Sequence, residues 1–171
     1  IPEDIGYLRS LSYIDLSTNS LNGSIPSSFG NLRNLVFLYL EHNNLTEEIP
    51  SSMCNLTSLE VLYVIRNNLK GKVPQCLGNM SGLEVLMMSQ NNLSGAIPSS
   101  ISSLTSLQIL DLGRNNLKGA IPQSLSNMSR LQVFDLHSNK LSGTLPTPFN
   151  IRCSLRSLSL HDNELEGKIP P

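Results

Sequence analysis

The sequence has few aromatic residues, few charges and few cysteines. Its 171 residues include no tryptophan, four tyrosines, four phenylalanines and three cysteines. The formal net charge is −1, whereas a nucleic-acid-binding surface needs a clustered basic excess. No run of about 18 apolar residues is present, so the sequence contains no candidate membrane span. No basic segment followed by an apolar one opens the sequence, and we therefore expect any signal peptide to lie outside it.

Three residue types supply much of the chain instead. Leucine, serine and asparagine contribute 31, 26 and 18 residues. Hydrophobic residues make up 39 % of the chain, which is enough to bury a core and excludes a disordered polar tract. The length favours a single domain, residues 1–171.

The pair Ile-Pro, with Val-Pro and Leu-Pro as variants, recurs every 24 residues along the whole chain. Numbering each unit from this pair puts leucine at positions 11 and 21 and asparagine at position 19 in all seven units. A fixed period of this kind predicts a stacked repeat architecture. The predicted repeats are 1–24, 25–48, 49–72, 73–96, 97–120, 121–144 and 145–168.

The side-chain pattern inside one repeat predicts a short strand. Stretches such as Leu38-Tyr39-Leu40 alternate apolar, variable and apolar residues, which is typical of a strand with one buried face. Successive strands would stack about 4.8 Å apart in a parallel sheet. We expect the asparagines at position 19 to form a ladder that satisfies backbone N–H and C=O groups in the turn. Glycine at position 23, replaced by Glu47 in one repeat, fits a bend with unusual dihedral angles.

The unit Leu-x-x-Leu-x-x-Leu-x-Leu-x-x-Asn-x-Leu-x-Gly-x-Ile-Pro resembles the plant-type extracellular leucine-rich repeat. The stretch from Leu107 to Pro122 matches it at nearly every fixed position, and the resemblance covers the whole chain. It implies a leucine-rich-repeat solenoid, with a curved parallel β-sheet on the concave face and short 3-10 or irregular segments on the convex face. One such repeat buries too little surface to fold alone, so stacking supplies the stability.

Two segments, from Leu56 to Met80 and from Asn139 to Phe149, resemble the ectodomains of fungal-resistance-type receptor-like proteins. That resemblance implies a module on the extracellular face of the plasma membrane or in the apoplast. It would recognise a pathogen-derived or endogenous ligand, which is a protein, a peptide or an oligosaccharide, and act through a co-receptor kinase. The sequence lacks the Cys-bearing terminal caps, acidic stretch and membrane helix of such receptors. We therefore expect a fragment of a longer array, attached to a membrane only through other segments.

Asparagine and cysteine residues carry the expectations about covalent chemistry. Six Asn-x-Ser/Thr sequons predict N-glycosylation in the secretory pathway, although an Asn- and Ser-rich repeat also generates sequons by accident. Cys54 and Cys76 lie on adjacent repeats, close enough for a disulfide, and free buried thiols are the alternative. Cys153 is left over and either pairs elsewhere or stays free. The sequons are at Asn22, Asn44, Asn55, Asn79, Asn92 and Asn127.

Positions 13, 15 and 17 point outward from the predicted sheet and form the candidate ligand surface, because side chains of a strand alternate between faces. Tyr39, Tyr63 and Met87 follow one another at position 15, and Ile65 lies at position 17. Position 13 carries mostly valine and isoleucine, which we expect to be half-buried packing. An exposed apolar patch that contains tyrosine is typical of an interaction site.

Charged residues extend this candidate surface. Arg66 and Arg114 lie at position 18, and Asp111 and Asp135 continue position 15. Charge-assisted hydrogen bonds from these side chains would fix a peptide or an oligosaccharide. A solvated face without a ligand is the alternative.

The sequence predicts neither catalysis nor a cofactor. An open sheet offers no pocket in which a nucleophile, a base and an orienting group converge. His137 and His161 lie at position 17 of adjacent repeats, with Asp135 and Asp162 nearby, and they are the best metal candidate. An open surface gives such a pair no closed coordination shell, so we predict no metal site.

Two other functions remain open. The first is a secreted inhibitor of a pathogen's cell-wall-degrading enzyme, similar to the polygalacturonase-inhibiting proteins, which share this repeat. The second is ice binding, because Asn44, Asn68, Asn92 and Asn116 place identical polar side chains on consecutive repeats at position 20.

Overall fold

The computed structural model describes residues 1–147 and 154–168, in which a seven-stranded parallel sheet receives one strand from each repeat. Each strand pairs in register with the strand 24 residues later, as Tyr13 does with Phe37 and Phe37 with Val61. This confirms the predicted solenoid with its sheet on the concave face. The strands are Tyr13–Asp15, Phe37–Tyr39, Val61–Tyr63, Val85–Met87, Ile109–Asp111, Val133–Asp135 and Ser157–Ser159.

The return path of the first six repeats contains a 3-10 helix, as expected for the convex face. A proline precedes each helix in the extended region, with φ of −74° before the first and −60° before the second, because its ring fixes that angle. The helices are Glu3–Tyr7, Ser27–Asn31, Ser51–Asn55, Gln75–Asn79, Ser99–Ser103 and Gln123–Asn127.

A second set of short parallel strands, which the sequence pattern did not predict, runs along the side of the solenoid after the asparagine position. Four of these strands form one sheet and two form another. Residues 20 to 24 of a repeat show no apolar alternation, so their pairing follows from the stacking of the repeats. The strands are Asn22–Ser24, Asn44–Thr46, Ser94–Gly95, Asn116–Ala120, Lys140–Gly143 and Glu164–Leu165.

The core lies between the concave sheet and the convex helices. It consists of apolar residues that recur at the same positions of each repeat. Leu38, Leu62, Leu86 and Leu110 at position 14 have no solvent exposure. Leu158, at the same position of the last strand in this sheet, is 44 % exposed, whereas Ile14, in the first strand, is 6 % exposed although both strands have only one neighbour. Position 14 is therefore open to solvent at the last described repeat and closed at the first.

The predicted asparagine ladder is present. Asn67 is typical: its Oδ1 accepts from the N–H of Leu45 in the preceding repeat at 3.0 Å. Its Nδ2 donates to the carbonyl oxygens of Leu40, Val64 and Ile65. From the second repeat onward, each asparagine therefore joins two repeats through backbone groups that would otherwise be buried without partners.

Backbone dihedral angles confirm the bend at position 23. Gly71 and its equivalents have φ near +80°, and Glu47 adopts +65° at the same position. The residue at position 18 also has a left-handed backbone in every repeat, with φ of +56° at Arg66 and +50° at Arg114. The sequence pattern did not predict this conformation.

The structure joins Cys54 to Cys76 by a disulfide, with Cα atoms 5.7 Å apart. Cys54 occupies the helical position that Gly6, Gly30 and Gly78 hold in other repeats. The bond therefore links two neighbouring convex helices. Cys153 lies outside the described residues.

Candidate ligand-binding surface

One row of outward-facing side chains crosses the concave sheet at position 15. The strand register aligns Tyr39 with Tyr63, Tyr63 with Met87, Met87 with Asp111 and Asp111 with Asp135. All five side chains are half-buried, since each packs against its neighbours in the row and leaves one side open. The structure therefore brings five of the eight predicted ligand-binding residues into one continuous line.

The first half of this surface is aromatic. The ring of Tyr39 lies 5.1 Å from that of Tyr63 in an edge-to-face arrangement and 5.6 Å from that of Tyr13. Tyr13 also approaches Phe37, with ring centroids 6.2 Å apart. We call Tyr13, Tyr39 and Tyr63 the tyrosine row. Tyr13 is 54 % exposed and reaches the patch from the neighbouring strand. The sequence placed it at position 13, where we expected half-buried packing residues.

Carboxylates lie beside the tyrosine row. The hydroxyl of Tyr13 donates to Asp15 Oδ2 at 3.3 Å, and hydrogen bonds from the side chain and backbone of Ser17 lower the pKa of Asp15. Glu41, two residues after Tyr39, is half-buried, and its Oε2 is shielded from solvent and has no hydrogen-bond partner. Glu41 is a residue that the sequence reasoning missed, although its place at position 17 of the second repeat marked it as outward-facing.

Ile65 and Arg66 lie next to this aromatic half. Ile65 is half-buried at position 17, and Arg66 is exposed at position 18 on its left-handed backbone. Both residues sit where the sequence predicted them.

The second half of the surface is polar and internally bonded. The hydroxyl of Ser89 donates to Asp111 Oδ2 at 2.6 Å, and the N–H of Gly113 donates to Oδ1 at 3.0 Å. Burial raises the pKa of Asp111, against the lowering effect of these two hydrogen bonds. A ligand group that replaces one of these hydrogen bonds to Asp111 must therefore bind the carboxylate more strongly than Ser89 or Gly113 does.

His137 connects the remaining charged residues. Its Nδ1 lies 2.6 Å from Asp135 Oδ1, and its Nε2 accepts from Arg114 Nε at 3.2 Å. These partners fit the neutral ring with its proton on Nδ1. The ring stacks on His161, with centroids 4.8 Å apart. Arg114 and Asp135 are thus positioned by a histidine that the sequence had singled out only as a metal candidate.

His137 and His161, the best metal candidate in the sequence, lie with their rings stacked. Both nitrogens of His137 already have partners, so a metal ion would have to displace Asp135 or Arg114. Within residues 1–147 and 154–168, no group of three or more His, Cys, Asp or Glu side chains is arranged to hold a metal ion. The same part of the chain contains no helix long and apolar enough to cross a membrane.

The sequons lie on the surface of the molecule. All six asparagine residues are exposed. Asn55, Asn79 and Asn127 each end a convex 3-10 helix, away from the concave sheet. Asn22 and Asn44 begin strands on the side of the solenoid, and Asn92 is also on that side.

Comparison with family models gives one consistent family. The family described as "Leucine-rich repeat region" matches residues 1–95. Two further families, described as "Leucine rich repeat", match residues 81–141 and 154–171. No curated protein matches the sequence.

Solved structures of plant proteins are similar over nearly the whole chain. The plant peptide hormone receptor RGFR1, in complex with RGF2, is 39 % identical over 99 % of the chain with a TM-score of 0.97. The Arabidopsis receptor kinase HAESA, in complex with the peptide hormone IDA and the co-receptor SERK1, is 31 % identical over 100 % with a TM-score of 0.82. A plant ice-binding protein is 30 % identical over 100 % with a TM-score of 0.73. The chain spans 27 %, 33 % and 62 % of those three structures, respectively.

Proposed function

This chain is a member of the leucine-rich-repeat family, and from that premise we propose that it is the ligand-recognition module of a plant cell-surface receptor-like protein. It would act in defence or developmental signalling and bind its ligand on the concave sheet. The observation that carries this proposal is the continuous row from Tyr39 to Asp135, half aromatic and half polar, on an open surface. Tyrosine-rich patches with nearby arginine are the usual centres of binding energy.

The proposed ligand is a peptide, with a protein or an oligosaccharide as the other classes. RGFR1 and HAESA were both solved with a peptide hormone, and HAESA also with a co-receptor. An extended peptide crossing the strands would meet the tyrosine row first and the Asp111 and Asp135 carboxylates last. A co-receptor kinase would then be the second partner. We assign the chain no catalytic role and no cofactor.

We place the module on the extracellular side of the plasma membrane or in the apoplast. Six exposed sequons and the Cys54–Cys76 disulfide support that compartment, since both modifications belong to the secretory pathway. Glycans on Asn55, Asn79 and Asn127 would leave the concave sheet open. A glycan on Asn44 or Asn92 would narrow access from the side.

A secreted inhibitor of a cell-wall-degrading enzyme is the alternative function, because it would use the same concave face. The sequence of the parent transcript separates the two. A downstream membrane helix with a short cytoplasmic tail supports the receptor-like protein, and a kinase domain after the helix makes the parent a receptor kinase. A stop codon soon after a Cys-bearing cap, with no membrane helix, supports the inhibitor.

Ice binding is a second candidate, favoured by the similarity to a plant ice-binding protein. The side chains of Asn44, Asn68, Asn92 and Asn116 are all exposed on consecutive repeats. Thermal hysteresis of the purified chain tests this function directly. A freezing point that depends only on the solute concentration would exclude ice binding.

The experiment for the main proposal selects peptides from a random display library against the purified chain. The selected peptides are then titrated against the Tyr63→Ala variant and against Tyr7→Ala. Tyr7 is a matched control, because it is 77 % exposed on a convex helix. We expect Tyr63→Ala to weaken binding by about tenfold or more and Tyr7→Ala to leave it unchanged. Peptides that bind equally well to both variants would contradict the proposal.

A further inference from the structure

The tyrosine row has a negative electrostatic environment. Partial burial, then Tyr39 and Glu41, raise the pKa of Tyr63. Desolvation, then Asp15 with its hydrogen bond, then Tyr39 and Glu41, raise the pKa of Tyr13. Desolvation is the largest cause of the raised pKa of both phenols, and the negative charge of Glu41 adds to it in each case. Desolvation disfavours a charge of either sign, whereas the nearby carboxylates disfavour an added negative charge and favour a positive one.

The two carboxylates beside the row have no cation of their own within the described part of the chain. The basic side chains that contact a carboxylate there are Lys70 with Glu47, His137 with Asp135 and His161 with Asp162, and none contacts Asp15 or Glu41. The Oε2 atom of Glu41 is shielded from solvent and accepts no hydrogen bond. A buried carboxylate oxygen without a donor is costly, and a ligand donor that reaches it after a rotation of the Glu41 side chain would remove that cost.

Aromatic rings complete the chemistry of the site. The edge-to-face contact of Tyr39 with Tyr63, at 5.1 Å and 81°, leaves the two ring faces pointing in different directions. Tyr13 is inclined at 49° to Tyr39 on the other side. Ring faces attract cations, and a guanidinium group also stacks on them while its N–H groups bond to a carboxylate.

From these observations, and resting on the proposed function, we propose that the tyrosine row with Glu41 and Asp15 is a binding site for an arginine side chain of the peptide ligand. The guanidinium stacks on a tyrosine ring and donates to Glu41. A metal ion does not fit, because two carboxylates supply too few oxygen ligands for a hard cation. The aromatic half thus binds a basic residue of the peptide, and the half around Asp111 and His137 binds a different part of it.

The test uses two short peptides and the tyrosine signals of the chain. The probe is acetyl-Ala-Ala-Arg-Ala-Ala-amide, and its matched control carries citrulline, which has nearly the same shape without the charge. The chain has only four tyrosines, so ¹³C-labelled rings give a simple NMR spectrum. Tyr7, on a convex helix, is an internal control. We expect the arginine peptide to shift the signals of Tyr13, Tyr39 and Tyr63 but not that of Tyr7, with citrulline binding about tenfold more weakly.

Two charge-neutralising variants locate the effect. Glu41→Gln keeps the shape of the side chain and should reduce arginine binding by about fivefold or more. Glu166→Gln removes an exposed carboxylate in the last repeat and should change nothing. Retained dispersion of the NMR spectrum shows that each variant is folded.

Several outcomes would overturn the inference. Equal binding of arginine and citrulline, or full binding by Glu41→Gln, would exclude the carboxylate–aromatic site. Equal binding of a lysine peptide would exclude the arginine assignment. If peptides selected from the library bind the concave sheet while the arginine probe shifts none of its tyrosines, the inference fails and the proposed function stands. If nothing binds the sheet, both fail.

Discussion

At the scale of single residues, the asparagine ladder does most to connect the repeats. Asn43, Asn67, Asn91 and Asn115 are each less than 10 % exposed and bond to the backbone of the preceding repeat. The side chain of Asn19, in the first repeat, donates only to the carbonyl oxygens of Leu16 and Ser17 in its own repeat, and the residue is exposed. The same residue type thus has two different energetic roles.

This difference predicts unequal effects of the same substitution. Asn67→Ala leaves the buried N–H of Leu45 without its acceptor, and we expect it to lower the free energy of unfolding by about 2 to 3 kcal/mol. Asn19→Ala should lower it by less than about 1 kcal/mol. Urea denaturation of both variants measures the difference, and equal losses would contradict the role assigned to the ladder.

Asp111 makes stability depend on pH. Because burial raises its pKa, the folded chain holds the proton more tightly than the unfolded chain does. The stabilisation is therefore complete below the unfolded pKa and is lost as the pH rises through the folded pKa. Asp111→Asn keeps an oxygen that accepts from Gly113 but cannot ionise.

We expect Asp111→Asn to flatten the fall in stability between about pH 3.5 and pH 7, compared with the unchanged chain. At pH 7 the variant should be more stable by less than about 1 kcal/mol, because partial exposure screens the charge. Thermal unfolding across this pH range provides the measurement, with the exposed Asp162→Asn as control. A steeper pH dependence in the variant would show that the sign is wrong.

Residue-scale features differ in how far the sequence could predict them. The 24-residue period placed Tyr39, Tyr63 and Met87 in one row, since strand register follows directly from a fixed repeat length. The buried oxygen of Glu41 and the link from Arg114 through His137 to Asp135 depend on side-chain rotamers. A repeat pattern carries no information about rotamers, so these contacts could not be predicted.

At the scale of elements, glycine lets neighbouring convex helices approach closely. A Cβ atom at Gly78 would collide with the backbone carbonyl oxygen of Ser100 in the next helix. A Cβ at Gly82, after the helix, would meet only Leu59 O at 3.8 Å and Thr57 O at 3.9 Å. The two glycines therefore form a matched pair that tests helix packing.

Gly78→Ala should lower the free energy of unfolding by about 1 to 3 kcal/mol through overpacking. Gly82→Ala should be neutral or stabilising by about 0.5 kcal/mol, because alanine restricts the unfolded chain. Denaturant titration compares them. A neutral Gly78→Ala would mean that the helices are not packed as closely as described.

The disulfide also connects two elements, since it joins neighbouring convex helices. Its Cys54 takes the position that glycine holds in three other repeats. Cys76→Ser should lower the free energy of unfolding by about 3 kcal/mol, given a separation of 22 residues between the two cysteines. Adding a thiol reductant should weaken the unchanged chain by a similar amount and leave the variant unaffected. Identical stability of the two chains under oxidising conditions would indicate free thiols.

Element boundaries show both success and failure of sequence-based prediction. Strands such as Val61–Tyr63 were predicted from the alternation of apolar residues, and convex 3-10 segments such as Ser99–Ser103 were expected from the family resemblance. The side strands, such as Asn116–Ala120, were not. They contain polar and glycine residues without alternation, and only the stacking of neighbouring repeats brings their backbone groups together.

At the scale of the whole molecule, the open concave sheet presents two chemically different halves to one ligand. The aromatic half is rich in tyrosine and has carboxylates without basic partners among the described residues. The polar half is bonded within itself through Asp111, Asp135 and His137. The stacked repeats follow from the sequence period, and the family resemblance adds the concave sheet. The division of the surface depends on variable positions whose contacts only the structure supplies.

The most direct test of concave-face recognition is a crystal structure of the chain with the tightest-binding peptide from the library. We predict an extended peptide that crosses the strands and contacts Tyr39 and Tyr63. A peptide seated on the convex 3-10 helices, or against the exposed Leu158 at the end of the sheet, would contradict the assignment of the concave sheet as the ligand surface.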